Sequence, residues 1–291
     1  MTGTLRAATY IDKGGTGKTT VTGHLGVACA RQGYEVLLVD LAGKQGDLAK
    51  QFGVWEEYTQ RIAADNDWPN VTTVFQDEWD AIAQKLGDEV AEKLIVRTDQ
   101  WVDLIPAHPG LDALDAELNE IDDPRERYAR FDRFLTEYID PLRYDVVLID
   151  LPGVSTNVSY NGLWAAENVV VPVQPAKFDV SQLEQVSRDI ARMQEALDAD
   201  VELAMVIPNA IDHRTQLAEQ YLERLEDEYP EVMAPRAIPE SQDIRNAAAD
   251  GRTVFRLESP SKTAERARRA FVRDAETLVE RLRQSAEVQE V

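Results

Sequence analysis

Residues 9–20 read Thr-Tyr-Ile-Asp-Lys-Gly-Gly-Thr-Gly-Lys-Thr-Thr. An apolar run from Leu5 to Ile11 leads into them as a short buried strand, and a helical pattern opens at Thr19. Strand, glycine-rich turn and helix in that order make a phosphate-cradling P-loop motif. Without a Cβ, Gly14, Gly15 and Gly17 let backbone N–H groups converge on phosphate oxygens. The partial positive charge of a helix N-terminus acts at the same point. The spacing places Lys18 at the β- and γ-phosphates of a nucleotide and the Thr19 hydroxyl on Mg2+, with Thr16 and Thr20 completing the nucleotide-binding stretch.

Working outward, the first helix is expected from Thr19 to Gln32, closed by Gly33. Glu35–Leu41 and Asp145–Asp150 are near-continuous apolar runs, as parallel strands buried on both faces require. Asp40 and Asp150 stand at their carboxyl ends, the edge of a doubly wound sheet where ligands bind. Four apolar residues ending in an acid suit a Walker B strand, with Asp150 holding Mg2+ through a water. Pro152–Asn157 then forms a loop that senses the γ-phosphate.

Further strands are expected at Val102–Ala107, Glu167–Pro175, Val201–Asn209 and Met233–Pro239. Helices are expected at Leu111–Glu120, Pro124–Tyr138, Val180–Leu197 and Gln216–Tyr229. A last helix takes Ser259 as N-cap and Pro260 at its first position. Residues 54–100 read as short helices elaborating the fold, and the C-terminal helix covers about 260–284. Together these predict a single α/β domain over residues 1–291: a doubly wound, mainly parallel sheet with helices on both faces.

Lys13 opens the motif as Lys-Gly-Gly-Thr-Gly-Lys-Thr-Thr. This is the deviant Walker A pattern, and it resembles the ParA/MinD/nitrogenase-iron-protein class of ATPases. Later stretches are similar to the Soj/ParA branch, in its order: Leu104-Ile-Pro-Ala-His-Pro-Gly-Leu111, Tyr160–Ala166, Val171-Pro-Val-Gln174, Asp212-His-Arg-Thr-Gln-Leu-Ala218, Ile238-Pro239 and Gly251-Arg-Thr-Val254. The resemblance implies ATP and Mg2+ as cofactors and an ATP-driven homodimer in which Lys13 reaches the partner's nucleotide. It also implies sequence-independent DNA binding, hydrolysis stimulated by a ParB-like or cargo-adaptor protein, and positioning of plasmid, chromosome or other cargo. Asn209 and Pro239 fall where such proteins contact adenine. One departure stands out. Where that class carries Asp-x-Asp-Pro-Gln, this chain has Asp40-Leu41-Ala42-Gly43-Lys44-Gln45-Gly46-Asp47. Alanine neither accepts a proton nor positions water, so the expectation is slow hydrolysis with Asp40, alongside Lys13 and Lys18, as the catalytic set; Asp47 is the other carboxylate that fits.

The chain carries 31 basic and 53 acidic residues, a net charge of −22. Such a surface repels nucleic acid in ordinary buffer, and the carboxylate density with only 8 lysines resembles salt-adapted proteins. From Arg245 to Arg273, however, eight basic residues face three acids. Lys262, Arg266, Arg269 and Arg273 share one helical face, and with Arg245 they form the expected DNA-binding surface, suited to phosphate and not to base reading. No apolar run reaches the roughly 20 residues of a membrane span, and no N-terminal signal is read, so a cytoplasmic, nucleoid-associated protein is expected. The rivals are a MinD-like membrane-cycling ATPase, disfavoured by the acidic tail after Arg283, and a non-hydrolysing ATP-switch scaffold. Cys29 alone excludes an iron–sulfur carrier; a synthetase-like enzyme of the same superfamily is neither shown nor excluded by these residues.

Overall fold

The computed structural model describes residues 3–43, 46–64, 67–87, 89–175 and 181–289. Among these, seven strands form one sheet: β1 (Leu5–Thr9), β2 (Val36–Asp40), β3 (Val96–Arg97), β4 (Asp103–Ile105), β5 (Val146–Asp150), β6 (Asn168–Val173) and β7 (Glu202–Pro208). Their spatial order is β3-β4-β2-β5-β1-β6-β7. All pairings are parallel except that of the edge strand β3 with β4. Side chains alternate between two cores. Leu5, Ala7, Leu38 and Leu148 face one, while Ala8, Leu37, Val39 and Ile149 face the other. Burial on both sides is why these strands read as unbroken apolar runs.

The helices are α1 (Lys18–Ala30), α2 (Asp47–Gln51), α3 (Trp55–Ala63), α4 (Trp79–Leu86), α5 (Leu111–Asn119), α6 (Pro124–Tyr128), α7 (Arg130–Phe134), α8 (Asn157–Ala166), α9 (Ser181–Leu197), α10 (Gln216–Glu228), α11 (Gln242–Ala249) and α12 (Lys262–Gln289). On one face α1 packs with α12, through Val21, Leu25, Ala267 and Phe271. On the other lie α5, α7, α8 and α9, through Leu114, Phe131, Leu163 and Val186. The expected doubly wound architecture is therefore present.

Three local expectations change. Met233–Pro239 is not a strand; it touches the sheet only through isolated bridges, Val206 with Met233 and Ile211 with Pro239. Pro235 and Pro239 lack the N–H groups a ladder needs. The stretch Pro124–Tyr138 is divided: Asp123 caps α6, its side chain accepting the Arg125 N–H, and α7 follows as a separate helix that widens at Leu135–Ile139. The last helix begins two residues later than expected. Ser261, not Ser259, caps it: its Oγ accepts the Ala264 N–H at 3.2 Å, while its own N–H is fixed by the Asp243 carboxylate at 2.8 Å.

The buried side of α12 holds one acid, Asp274. Its carboxylate accepts the Arg236 N–H at 3.0 Å, which ties the segment after Met233 to this helix. Burial pushes its pKa up to about 8, against the pull of Arg236 and Arg281. A carboxyl group raised above its unfolded value favours folding at acid pH, and that contribution is lost as pH rises through 8. Asp274→Asn is expected to flatten this dependence and to stabilise the protein at pH 9 by about 1–3 kcal/mol. Thermal melts at pH 5 and pH 9 check it; an equal shift at both pH values would refute it.

Candidate nucleotide-binding site

The end of β1 turns into the glycine-rich loop, and α1 starts at Lys18 beneath it. Because β1 lies between β5 and β6, and β5 between β1 and β2, the loops leaving β1, β2 and β5 converge. In register, Asp150 is opposite both Thr9 and Asp40. The resulting cavity, about 490 Å³, is lined by the P-loop glycines with Lys18, Thr19 and Thr20, by Ala42 and Asp47, by Asp112, and by Leu151–Val154.

The Lys18 ammonium donates to the carbonyls of Lys13 (2.8 Å) and Ile11 (3.3 Å). Burial lowers its pKa, opposed by Asp150 and Asp12. Asp12 accepts from the Ser155 hydroxyl, which in turn bonds Tyr10, so the first turn of the loop is tied to the loop after β5. A Cβ on Gly153 would stand 2.7 Å from Lys18 Nζ and 2.9 Å from the Lys13 carbonyl oxygen. Only glycine fits there.

The Thr19 hydroxyl donates to Asp150 Oδ2 at 2.5 Å. Asp150 is fully buried, its pKa raised by burial and by neighbouring Asp40, and its Oδ1 has no hydrogen-bond partner. Mg2+ takes few protein oxygens and completes its shell with water and phosphate. A hydroxyl beside a carboxylate with one unpartnered oxygen suits that chemistry. Among the described residues there is no cluster of three or more His, Cys, Asp or Glu side chains that would build a cage instead.

Asp40 is also buried, and its two oxygens accept the N–H groups of Ala42 (2.9 Å) and Leu48 (3.4 Å). Burial raises its pKa to about 7. It braces the loop and does not line the cavity, so the expected hydrolytic carboxylate is not on the cavity wall. Lys44 and Gln45 of that loop lie outside the described residues.

Asn209 sits under the P-loop: its side-chain amide donates to the Thr16 carbonyl at 3.0 Å, as does Gln174. Pro239 is buried and bridges Ile211, two residues beyond Asn209. A Cβ on Gly17, which has φ +91°, would lie 2.2 Å from Asn209 Nδ2. Gly17→Ala is therefore expected to cost about 1–3 kcal/mol of stability and at least about tenfold in nucleotide affinity. Thermal melts and titration with a fluorescent ATP analogue check it; unchanged values would show that the loop relaxes freely.

His24, unremarked in the sequence, joins this site to α12. Its Nδ1 meets the Thr20 carbonyl at 2.7 Å, its Nε2 accepts the Val254 N–H at 3.0 Å, and its ring stacks on Phe271 at 4.7 Å. Burial lowers its pKa to about 4, so it is neutral with the proton on Nδ1. Gln51, which closes α2, lies 3.2 Å from the same ring.

The expected DNA-binding residues divide. Lys262, Arg266, Arg269 and Arg273 are exposed along α12. Arg266, Arg269 and Arg273 line a cavity of about 630 Å³ with Arg236 and His213. Arg236 was missed because it stands alone in Ala-Pro-Arg-Ala; the Asp274 hydrogen bond brings it there. Arg245 lies outside this cavity and pairs with Glu240. Arg252, Arg256 and Arg268 pair with Asp250, Asp99 and Glu265, and Arg273 with Glu276. The positive surface is narrower than the residue count implied.

A strand-to-helix turn that gathers backbone amides over a lysine and a threonine–aspartate pair defines a P-loop nucleotide-binding protein. The chain belongs to the AAA domain family AAA_31, whose model matches residues 7–203. It is similar to the chromosome partitioning protein ParA of Caulobacter vibrioides, 29% identical over 248 residues, which are 84% of this chain and 83% of the relative. It is 28% identical over 280 residues to the chromosome-partitioning ATPase Soj of Thermus thermophilus, 96% of this chain and 97% of that one. Among solved structures, the cobyrinic acid a,c-diamide synthase of Mycobacterium smegmatis, holding ADP and magnesium, aligns with a TM-score of 0.65 at 28% identity, over 85% of this chain and 90% of the other. These likenesses make it a ParA/Soj-type ATPase.

Proposed function

We propose that this chain binds Mg·ATP at the P-loop, dimerises around it, and in that state holds DNA without sequence preference while positioning a cargo. The observation that carries the reading is the Thr19–Asp150 pair beneath a two-lysine glycine loop. Thr19 and, through a water, Asp150 would hold Mg2+, which supplies neutralisation of charge on the β- and γ-phosphates. Lys18 would meet the same phosphates. Lys13, at the rim, would cross to the partner's nucleotide.

The likeness to partition ATPases over nearly the full length of both chains supports this reading above a synthetase. A membrane-cycling role has no support in the helices: among the described residues none is long and apolar enough to cross a membrane, and the exposed face of α12 near its start is cationic with little apolar surface. With alanine at position 42, turnover is slow until DNA and a partner protein accelerate it. The reading is tested by size measurement of the full chain with and without Mg·ATP. A dimer formed only with ATP is expected; a protein that binds ATP and stays monomeric at high concentration would refute the dimer switch.

A further inference from the structure

The turn that carries Lys13 meets the loop after β5 at two points. At the first, the backbones close up: a Cβ on Gly153 would stand 2.9 Å from the Lys13 carbonyl oxygen. At the second, side chains make the contact: the Tyr10 hydroxyl reaches Ser155 Oγ at 2.9 Å, and Ser155 Oγ donates to Asp12 Oδ2 at 3.1 Å. With the Ser155 proton given to Asp12, the Tyr10 phenol is the donor in the first of these bonds. Tyr10 is fully buried, and burial pushes its pKa above the ordinary range, so it keeps that proton. A buried hydroxyl left unpaired is costly, which fixes Ser155 from the core side. The Asp12 end lies at the surface, where a carboxylate acceptor strengthens the bond. Beyond Ser155 the chain is held by α8: Thr156 Oγ1 accepts the Ser159 N–H at 3.2 Å, and Ser159 Oγ donates to the Val154 carbonyl at 2.7 Å. Lys13 is bracketed in turn, its N–H on the Ile11 carbonyl at 2.7 Å and its own carbonyl accepting from Lys18 Nζ at 2.8 Å.

We propose that Ser155 is a positioning residue: through the Tyr10–Ser155–Asp12 chain it latches the loop after β5 to the turn that carries Lys13. Loop and turn then move as one unit, and Lys13 is presented to a partner subunit only while that loop is in place. This role rests on the dimer reading above, since Ser155 acts through Lys13 and not on the nucleotide of its own subunit. Removing the latch therefore leaves the phosphate cradle, with Lys18, Thr19 and Asp150, as it stands. What it disturbs is the ATP-dependent dimer and the turnover that the dimer supports.

The experiment compares the wild type, Ser155→Ala, Ser155→Thr and Tyr10→Phe as full chains. It reads affinity for a fluorescent ATP analogue, ATP-dependent dimerisation by light scattering, and phosphate release with Mg·ATP and random-sequence DNA. Ser155→Ala and Tyr10→Phe are each expected to weaken the ATP-dependent dimer and to lower turnover by about tenfold, the scale of one or two hydrogen bonds. Both should bind the analogue within about threefold of wild type, a split that a merely structural role would not give. Ser155→Thr keeps the hydroxyl and is expected to restore dimer and turnover together. Wild-type dimerisation in Ser155→Ala or in Tyr10→Phe, a loss of analogue affinity matching the loss of dimer, or no recovery in Ser155→Thr would overturn the latch while leaving the dimer switch standing. A wild type that binds ATP and stays monomeric overturns the dimer reading, and the latch falls with it.

Discussion

Reversing Arg266, Arg269 and Arg273 together to Glu is expected to abolish retention of the ATP-bound protein on random-sequence DNA. On a chain of net charge −22, bulk electrostatics oppose any polyanion, so binding depends on where cations are grouped. These three line one cavity with Arg236, and arginine meets phosphate oxygens through two parallel N–H groups. Each lost phosphate contact removes about one unit from the slope of log affinity against log salt. The triple variant should therefore show a slope lower by about 3 and, at ~0.1 M salt, affinity reduced on the order of 100-fold or more. Arg245→Glu should do much less, because Arg245 stands apart from the cavity. Anisotropy titrations of a labelled duplex at several salt concentrations measure both. Unaltered binding in the triple variant would move the DNA site elsewhere on the molecule.

That surface also shows where sequence reading stops. The P-loop was legible because its chemistry lies within eight consecutive residues, and the central strands because burial on both faces leaves contiguous apolar runs. The face of α12 was legible from helical spacing. What spacing does not carry is the identity of distant partners. Arg256 counts as positive in the sequence but meets Asp99, 157 positions away. His24 reads as an isolated histidine in a helix until Val254, 230 residues later, donates to it. The surroundings of Asp40 were hidden for a related reason. A strand-end acid reads as catalytic, whereas the turn of the following loop aims two amides at it. Short irregular elements failed in another way. The two residues of β3 are too few to show a period, and the bridges at Met233 and Pro239 arise from packing against β7 and Ile211.

These long-range ties give the site a route to the rest of the molecule. His24 on α1 touches Val254 and stacks on Phe271 of α12, while Gln51 reaches the same ring from α2. The connection is neutral at physiological pH, since burial lowers the His24 pKa to about 4. Its contribution to folding is present above pH 6.5 and is lost as pH falls towards 4.

The two lysines of the P-loop are expected to fail in different ways when removed. Lys18→Ala should lose ATP itself, by on the order of 100- to 1000-fold, since charge-assisted hydrogen bonds to phosphate are each worth about 1.5–3 kcal/mol. Lys13→Ala should leave the loop in place, because Lys13 supports it through the backbone carbonyl that accepts from Lys18 and not through its side chain. Affinity of the monomer for a fluorescent ATP analogue should then stay within about threefold of wild type, while the ATP-dependent dimer disappears. Light scattering beside the analogue titration separates the two variants. If Lys13→Ala dimerises with Mg·ATP as the wild type does, Lys13 does not complete a partner's site. If it loses nucleotide as severely as Lys18→Ala, its ammonium serves its own subunit, and the site is whole without a second chain.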